Sequence, residues 1–122
     1  MKTASYTANG GPIIACVTCT PKCDGSYALM LWERGQNKIV SQWRGNFVND
    51  DDDCYSLDPP NTQHDGRHFE CIVTVSVPAG LGPATVALSV KQDGRVLAAD
   101  SGQVPPDSPG GMVDLFVALK QA

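Results

Sequence analysis

The side chains able to do chemistry in this sequence gather in one stretch and its flanks. His64, Asp65 and His68 lie close enough along the chain to form a general-base pair, and a free thiol from the N-terminal group Cys16, Cys19 and Cys23 could act as a nucleophile. These are the only two histidines present. Nothing in the spacing fixes them at working distance. There is no Gly-x-Ser-x-Gly elbow, no glycine-rich phosphate cradle and no His-Glu-x-x-His helix. A metal- or thiol-dependent enzyme using His64, His68 and one cysteine is therefore the third-ranked reading, behind two noncatalytic ones.

The acidic run at 49–53 offers hard oxygen ligands, and Asp50, Asp52 and Asp53 are the expected donors if calcium is the cofactor. Adjacent carboxylates repel, neighbours in an extended chain point opposite ways, and the EF-hand spacing is missing. A solvated loop is the plainer reading of the same run. Cys16-x2-Cys19-x3-Cys23 would need His64 or His68 to complete a zinc site, and no second ligand pair follows it. Disulfides are preferred. The most economical bridge joins Cys54 to Cys71, closing the long loop at its base for about 3 kcal/mol. Cys16, Cys19 and Cys23 would then give one pair and one free thiol, with the connectivity open.

A third kind of chemistry is recognition. Trp43, Phe47 and Tyr55 could form a stacking platform for a sugar or a peptide. The expected ligand-binding set is Trp43, Asn46, Tyr55, His64, Asp65 and Arg67. Trp43, flanked by Gln42 and Arg44, reads equally as a half-buried sheet residue.

Strands must hold these groups, because the apolar residues alternate with a period of two and never recur at helical spacing. In 26–34, Tyr27, Leu29 and Leu31 point one way and Ala28, Met30 and Trp32 the other, as in a strand covered on both faces. A tight turn at Gly35 leads to 38–44, which reads as its hairpin partner, with Trp32 and Trp43 near each other across it. Val73, Val75 and Val77 in 68–77, and Val86, Leu88 and Val90 in 85–91, face an interior. Gln92-Asp93-Gly94 is a hairpin turn into 95–99, since Asp and Gly tolerate positive φ. A Pro-rich loop at 103–111 precedes a last strand with Val113, Leu115, Val117 and Leu119 inward.

With 3–8 and 12–18 added, the count is about seven or eight strands, as in an immunoglobulin-like or jelly-roll sandwich. The expected fold is all-β, a two-sheet antiparallel sandwich forming a single domain over 1–122. The longest irregular region, 46–67, is too polar and too broken by Pro to be core, so function is expected there.

Charge excludes some partners. The net charge is −4 and the basic residues are scattered singly, which argues against nucleic acid and anionic membrane surfaces. No apolar run is long enough to span a bilayer, so membrane insertion is not expected. Five cysteines favour an oxidising compartment, secreted or periplasmic, with the cytoplasm as the alternative. Residues 3–11 are too polar to read as a secretory signal, so a secreted chain would be in mature form. The leading expectation is a noncatalytic recognition or adhesion module for a carbohydrate or protein ligand. The alternative is a structural subunit assembling into a homo-oligomer through sheet edges or faces.

Overall fold

The computed structural model describes residues 1–21, 24–35, 37–47, 53–78, 80, 82–106 and 108–122. Nine strands run along the described chain: β1 (Lys2–Tyr6), β2 (Ile14–Thr20), β3 (Asp24–Trp32), β4 (Ile39–Asn46), β5 (Asp53–Ser56), β6 (His68–Val77), β7 (Ala84–Gln92), β8 (Arg95–Val104) and β9 (Ser108–Gln121). One turn of 3₁₀ helix, Asn61–His64, lies between β5 and β6. The strands form two sheets, ordered β1-β9-β6-β3-β4 and β5-β2-β7-β8. Among the described residues no helix is long and apolar enough to cross a membrane.

The period-two pattern builds this directly. Along β7, Ala84, Val86, Leu88 and Val90 are buried while the residues between them are half-exposed. Along β6, Phe69, Cys71, Val73, Val75 and Val77 turn the same way. With Leu29 and Leu31 of β3 and Leu115, Val117 and Leu119 of β9 they make one core between the sheets. The Gln92-Asp93-Gly94 hairpin is as expected: Asp93 and Gly94 take φ of 53° and 76°, the doubly positive pair that a two-residue turn between twisted strands requires.

Four expectations are corrected. Among the described residues the strand count is nine, because β5 lies inside the stretch read as loop; four residues, Asp-Cys-Tyr-Ser, are too short to show alternation. The sandwich is not wholly antiparallel, since β1 runs parallel to β9. The Pro-rich 103–111 stretch is mostly strand. Gly110, at φ +66°, sits where the β6–β9 register slips between Val75 and Val77, so the Pro-Gly-Gly sequence makes a β-bulge and the strand continues. The two tryptophans lie on opposite faces of their sheet. Trp43 pairs with Leu29, which faces the core, whereas Trp32 follows buried Leu31 and points outward.

Candidate functional site

β4 and β5 are edge strands of different sheets, and an aromatic cluster closes the sandwich between them. Tyr27 of β3 packs on Phe47 with ring centroids 5.4 Å apart, and its hydroxyl hydrogen-bonds that of Tyr55 on β5. Tyr55 in turn stacks on Trp43, 5.5 Å away at 29°. Gly45 makes this reach possible: it lies opposite Tyr27 in the register, and a Cβ there would run into the phenol ring. Burial, then the bonded Tyr55, then the nearby Asp53 carboxylate push the Tyr27 hydroxyl's pKa far above that of an ordinary tyrosine.

Above this cluster, β4, the end of β5 and the 3₁₀ turn enclose a cleft of about 490 Å³, walled by Val40 to Trp43 on one side and by Ser56 to Asp58, Gln63, His64 and Arg67 on the other. His64 is buried at 2 % exposure. Its Nδ1 lies 3.1 Å from Arg67 Nη1 and its Nε2 lies 2.8 Å from the Asp58 carbonyl. Arginine only donates and a carbonyl only accepts, so the ring proton sits on Nε2 and Nδ1 accepts. Burial holds the ring's pKa below 6.5, and the Arg67 charge adds to this against the opposing Asp58 carbonyl bond.

Arg67 is committed as well. Its Nε and Nη2 donate to Glu33 Oε1 and Oε2 at 3.1 and 3.0 Å, the two-pronged match of guanidinium and carboxylate. That bond, then the Arg34 backbone N–H, lowers Glu33 to about 2. The 3₁₀ turn is anchored on its other side by Asn61, whose side-chain amide donates to the Gly11 and Gly10 carbonyls at 3.0 and 3.2 Å. The Tyr6 hydroxyl donates to the Asn61 carbonyl at 2.8 Å. Gln63 Nε2 donates to Asp58 O at 3.0 Å.

Of the six residues expected to bind a ligand, Trp43, His64 and Arg67 line this one cleft and Tyr55 backs the indole. Asn46 is exposed at the far end of β4. Asp65 accepts the Gln121 N–H at 2.9 Å and pins β9. His68 belongs to the outer face of its sheet, away from His64, so the two do not form a base pair; it stacks beside Trp32. Of the calcium donors, Asp50 and Asp52 lie outside the described residues, and Asp53 opens β5 opposite Val17. Among the described residues no three His, Cys, Asp or Glu side chains are grouped to hold a metal.

The expected Cys54–Cys71 bridge is replaced by Cys16–Cys54. β2 and β5 are neighbours, and these residues face each other in the register. Cys71 belongs to the other sheet, where its free thiol is buried in the core and burial pushes its pKa up to about 12. Cys19 is also disulfide-bonded; Cys23 lies outside the described residues.

Sequence reasoning missed Glu33, Gln63 and Asn61. No local pattern marks the pairing of Glu33 with Arg67, 34 positions away. A signal did exist for Gln92. It continues the inward row Val86, Leu88, Val90, and a polar side chain there must be bonded; its amide nitrogen donates to the Thr7 and Gly11 carbonyls at 2.9 and 3.0 Å. Comparison with known proteins finds no family model that matches this chain, and no curated protein and no solved structure that matches it.

Proposed function

We propose that this chain is a noncatalytic recognition domain that seats a carbohydrate in the cleft between β4 and residues 53–67. The observation supporting it is a walled, polar cleft beside the Trp43 indole in which His64 and Arg67 are already committed to partners. His64 has no spare nitrogen, and Arg67 spends its fork on Glu33. Such groups can hold a shape but cannot take a proton from a substrate. What stays available is hydrogen-bonding capacity from Ser41, Gln42, Ser56 and Gln63 next to an aromatic wall, which matches a ring with polar edges and an apolar face. An extracytoplasmic setting, in which the Cys16–Cys54 bridge would persist, fits this reading.

The test is a glycan array probed with the native chain and with Trp43→Ala and Gln42→Ala. Binding by the native chain that is lost or cut about tenfold in both variants is expected, the scale for losing a buried aromatic or hydrogen-bonding contact. Equal binding by all three proteins would exclude this cleft.

A second reading, self-assembly through a sheet edge, draws on the exposed Ile39 and Val40 at the start of the unpaired edge of β4. Sedimentation separates the two: a ligand-independent oligomer that Val40→Lys breaks would favour assembly, because charge on an edge strand opposes pairing.

A further inference from the structure

Part of the connection from β1 to β2, residues 7–11, is fastened by two side-chain amides that the rest of the fold has buried. Asn61 Nδ2 is shared among three carbonyls of this loop, those of Ala8, Gly10 and Gly11, at 3.4, 3.2 and 3.0 Å. From β7, Gln92 Nε2 donates to the Thr7 and Gly11 carbonyls, and its Oε1 accepts the Thr7 N–H at 2.9 Å. Asp93 Oδ1 accepts the Gly11 N–H at 3.0 Å. Asn61 and Gln92 are 8 % and 4 % exposed, so an amide that loses the loop has little water to replace it and is costly to leave unpaired.

Asn9 is the one side chain of this loop that is left chemically open. It is exposed, and its amide has no hydrogen-bond partner among the described residues. The residue after it is a glycine that the fold requires: a Cβ at Gly10 would lie 2.6 Å from Thr7 Oγ1, 2.7 Å from Gln92 Nε2 and 2.8 Å from Asp93 Oδ2. A glycine peptide nitrogen is the least shielded that the backbone offers, and the Asn side-chain carbonyl carbon is within reach of it by closure of a five-membered ring. Asparagine is thermolabile for this reason. The sequence has no other Asn-Gly pair. Its Asp-Gly pairs are held differently. The Asp65 and Asp93 carboxylates accept the Gln121 and Gly11 N–H groups, and Asp24-Gly25 lies in the β3–β6 ladder.

The reaction needs only water. The Gly10 nitrogen attacks Asn9 Cγ, a C–N bond forms, and the side-chain nitrogen leaves as ammonia with the proton that Gly10 gives up. The resulting succinimide takes up one water at either carbonyl. Opening at the side-chain carbonyl gives aspartate; opening at the main-chain carbonyl gives isoaspartate, whose backbone runs through Cβ and is one carbon longer. Before the attack the Gly10 N–H must leave the Thr7 carbonyl, 3.2 Å away, and exposed loops open locally at small cost.

We propose that Asn9 is a modification site: it converts through a succinimide with Gly10 to isoaspartate and aspartate, and the isoaspartate form unfastens the Asn61–His64 turn. An extra backbone carbon between the Ala8 and Gly10 carbonyls breaks the spacing at which both reach Asn61 Nδ2. Each product also adds a carboxylate close to that of Asp93, and like charges there oppose closure of the loop. Asn61 opens the 3₁₀ turn that carries Gln63 and His64 to the β4 cleft, so a change at Asn9 is transmitted to the cleft wall. This holds whatever the cleft binds.

The folded native chain, held in mildly alkaline buffer that favours the deprotonated peptide nitrogen, is sampled over weeks and mapped by peptide mass spectrometry. Isoaspartate is distinguished from aspartate by isoaspartyl methyltransferase labelling. Acid gain at Asn9, with isoaspartate the larger product, is expected at a rate within about tenfold of that in urea-unfolded chain, since only local opening is needed. Asn9→Ser should gain no label. The converted chain, separated by ion exchange, should exchange the Gln63 and Arg67 amide hydrogens, which bond the Pro60 and His64 carbonyls, at least about tenfold faster than the unconverted chain, as for a freed turn. Asn9→Asp, which adds the charge without the extra carbon, should show a smaller rise. Conversion in urea but none in the folded chain, earlier conversion at another asparagine, or unchanged Gln63 and Arg67 exchange after conversion would overturn the proposal. Each of these is read on the native chain, so none rests on the folding of a variant.

Discussion

Because Nδ1 of His64 accepts from Arg67 while Nε2 donates to the Asp58 carbonyl, protonating the ring would set a new donor against a guanidinium. The native state therefore resists that proton, and the pKa lies below its ordinary 6.5. A histidine lowered in this way contributes stability that is complete above the unfolded value and is lost as pH falls from about 6.5 towards the folded one. Asp114 acts in the opposite sense. Burial, then its bond with Glu70, raises it to about 6, so its contribution is present in acid and is lost as pH climbs from the unfolded value through about 6. The two must be separated by difference. In urea titrations between pH 7 and about pH 5, the native chain should lose more stability than His64→Gln; equal losses would remove His64 from the account. The residues that could do chemistry were legible as types, but their partners were not. Glu33, Asp58 and Gln121 are brought to Arg67, His64 and Asp65 by the topology, and nothing adjacent in sequence announces it.

Among the elements, the short strand β5 has the largest consequences for its size. It holds Tyr55 under Trp43 and is bonded through Cys54 to Cys16 of β2. The bridge closes a loop with a sequence separation of 38, worth about 4 kcal/mol in the chain-entropy model. Reductant should lower the thermal midpoint of the native chain and leave that of a Cys16→Ser/Cys54→Ser double variant less affected; an unchanged native midpoint would count against the bridge. Gly45→Ala should be destabilising by roughly 1–3 kcal/mol, the usual cost of forcing an extra methyl into a packed site, and should alter near-ultraviolet circular dichroism as Tyr27 is displaced from Tyr55. The long strands were legible because period-two burial repeats over enough residues to be counted, as in β6 and β7. β5 and the bulge at Gly110 were not, one for brevity and the other because Pro and Gly mark both turns and bulges.

At the scale of the molecule, one apolar interior joins both sheets, and its members are unequal to surface residues of similar size. Leu88 is fully buried and Met112 is exposed. Leu88→Ala should cost about 2–5 kcal/mol and Met112→Ala no more than about 0.5, read from denaturant midpoints; comparable losses would contradict this placement of the core. The general plan, two facing sheets around the valine-rich strands, was within reach of the sequence, whereas which strand neighbours which was not, since alternation says what faces inward and nothing about order. That order gives the 53–67 segment its character. It leaves the five-stranded sheet after β4, joins the four-stranded sheet through the Cys16–Cys54 bond, and returns to the first through Arg67 and Glu33. The segment is a strap stitched to both leaves of the sandwich, one stitch covalent and the other ionic. Thiol reagents cut the first and acid strong enough to protonate Glu33 cuts the second, so the mouth beside Trp43 has two independent locks, and either treatment alone leaves the strap fastened at its other end.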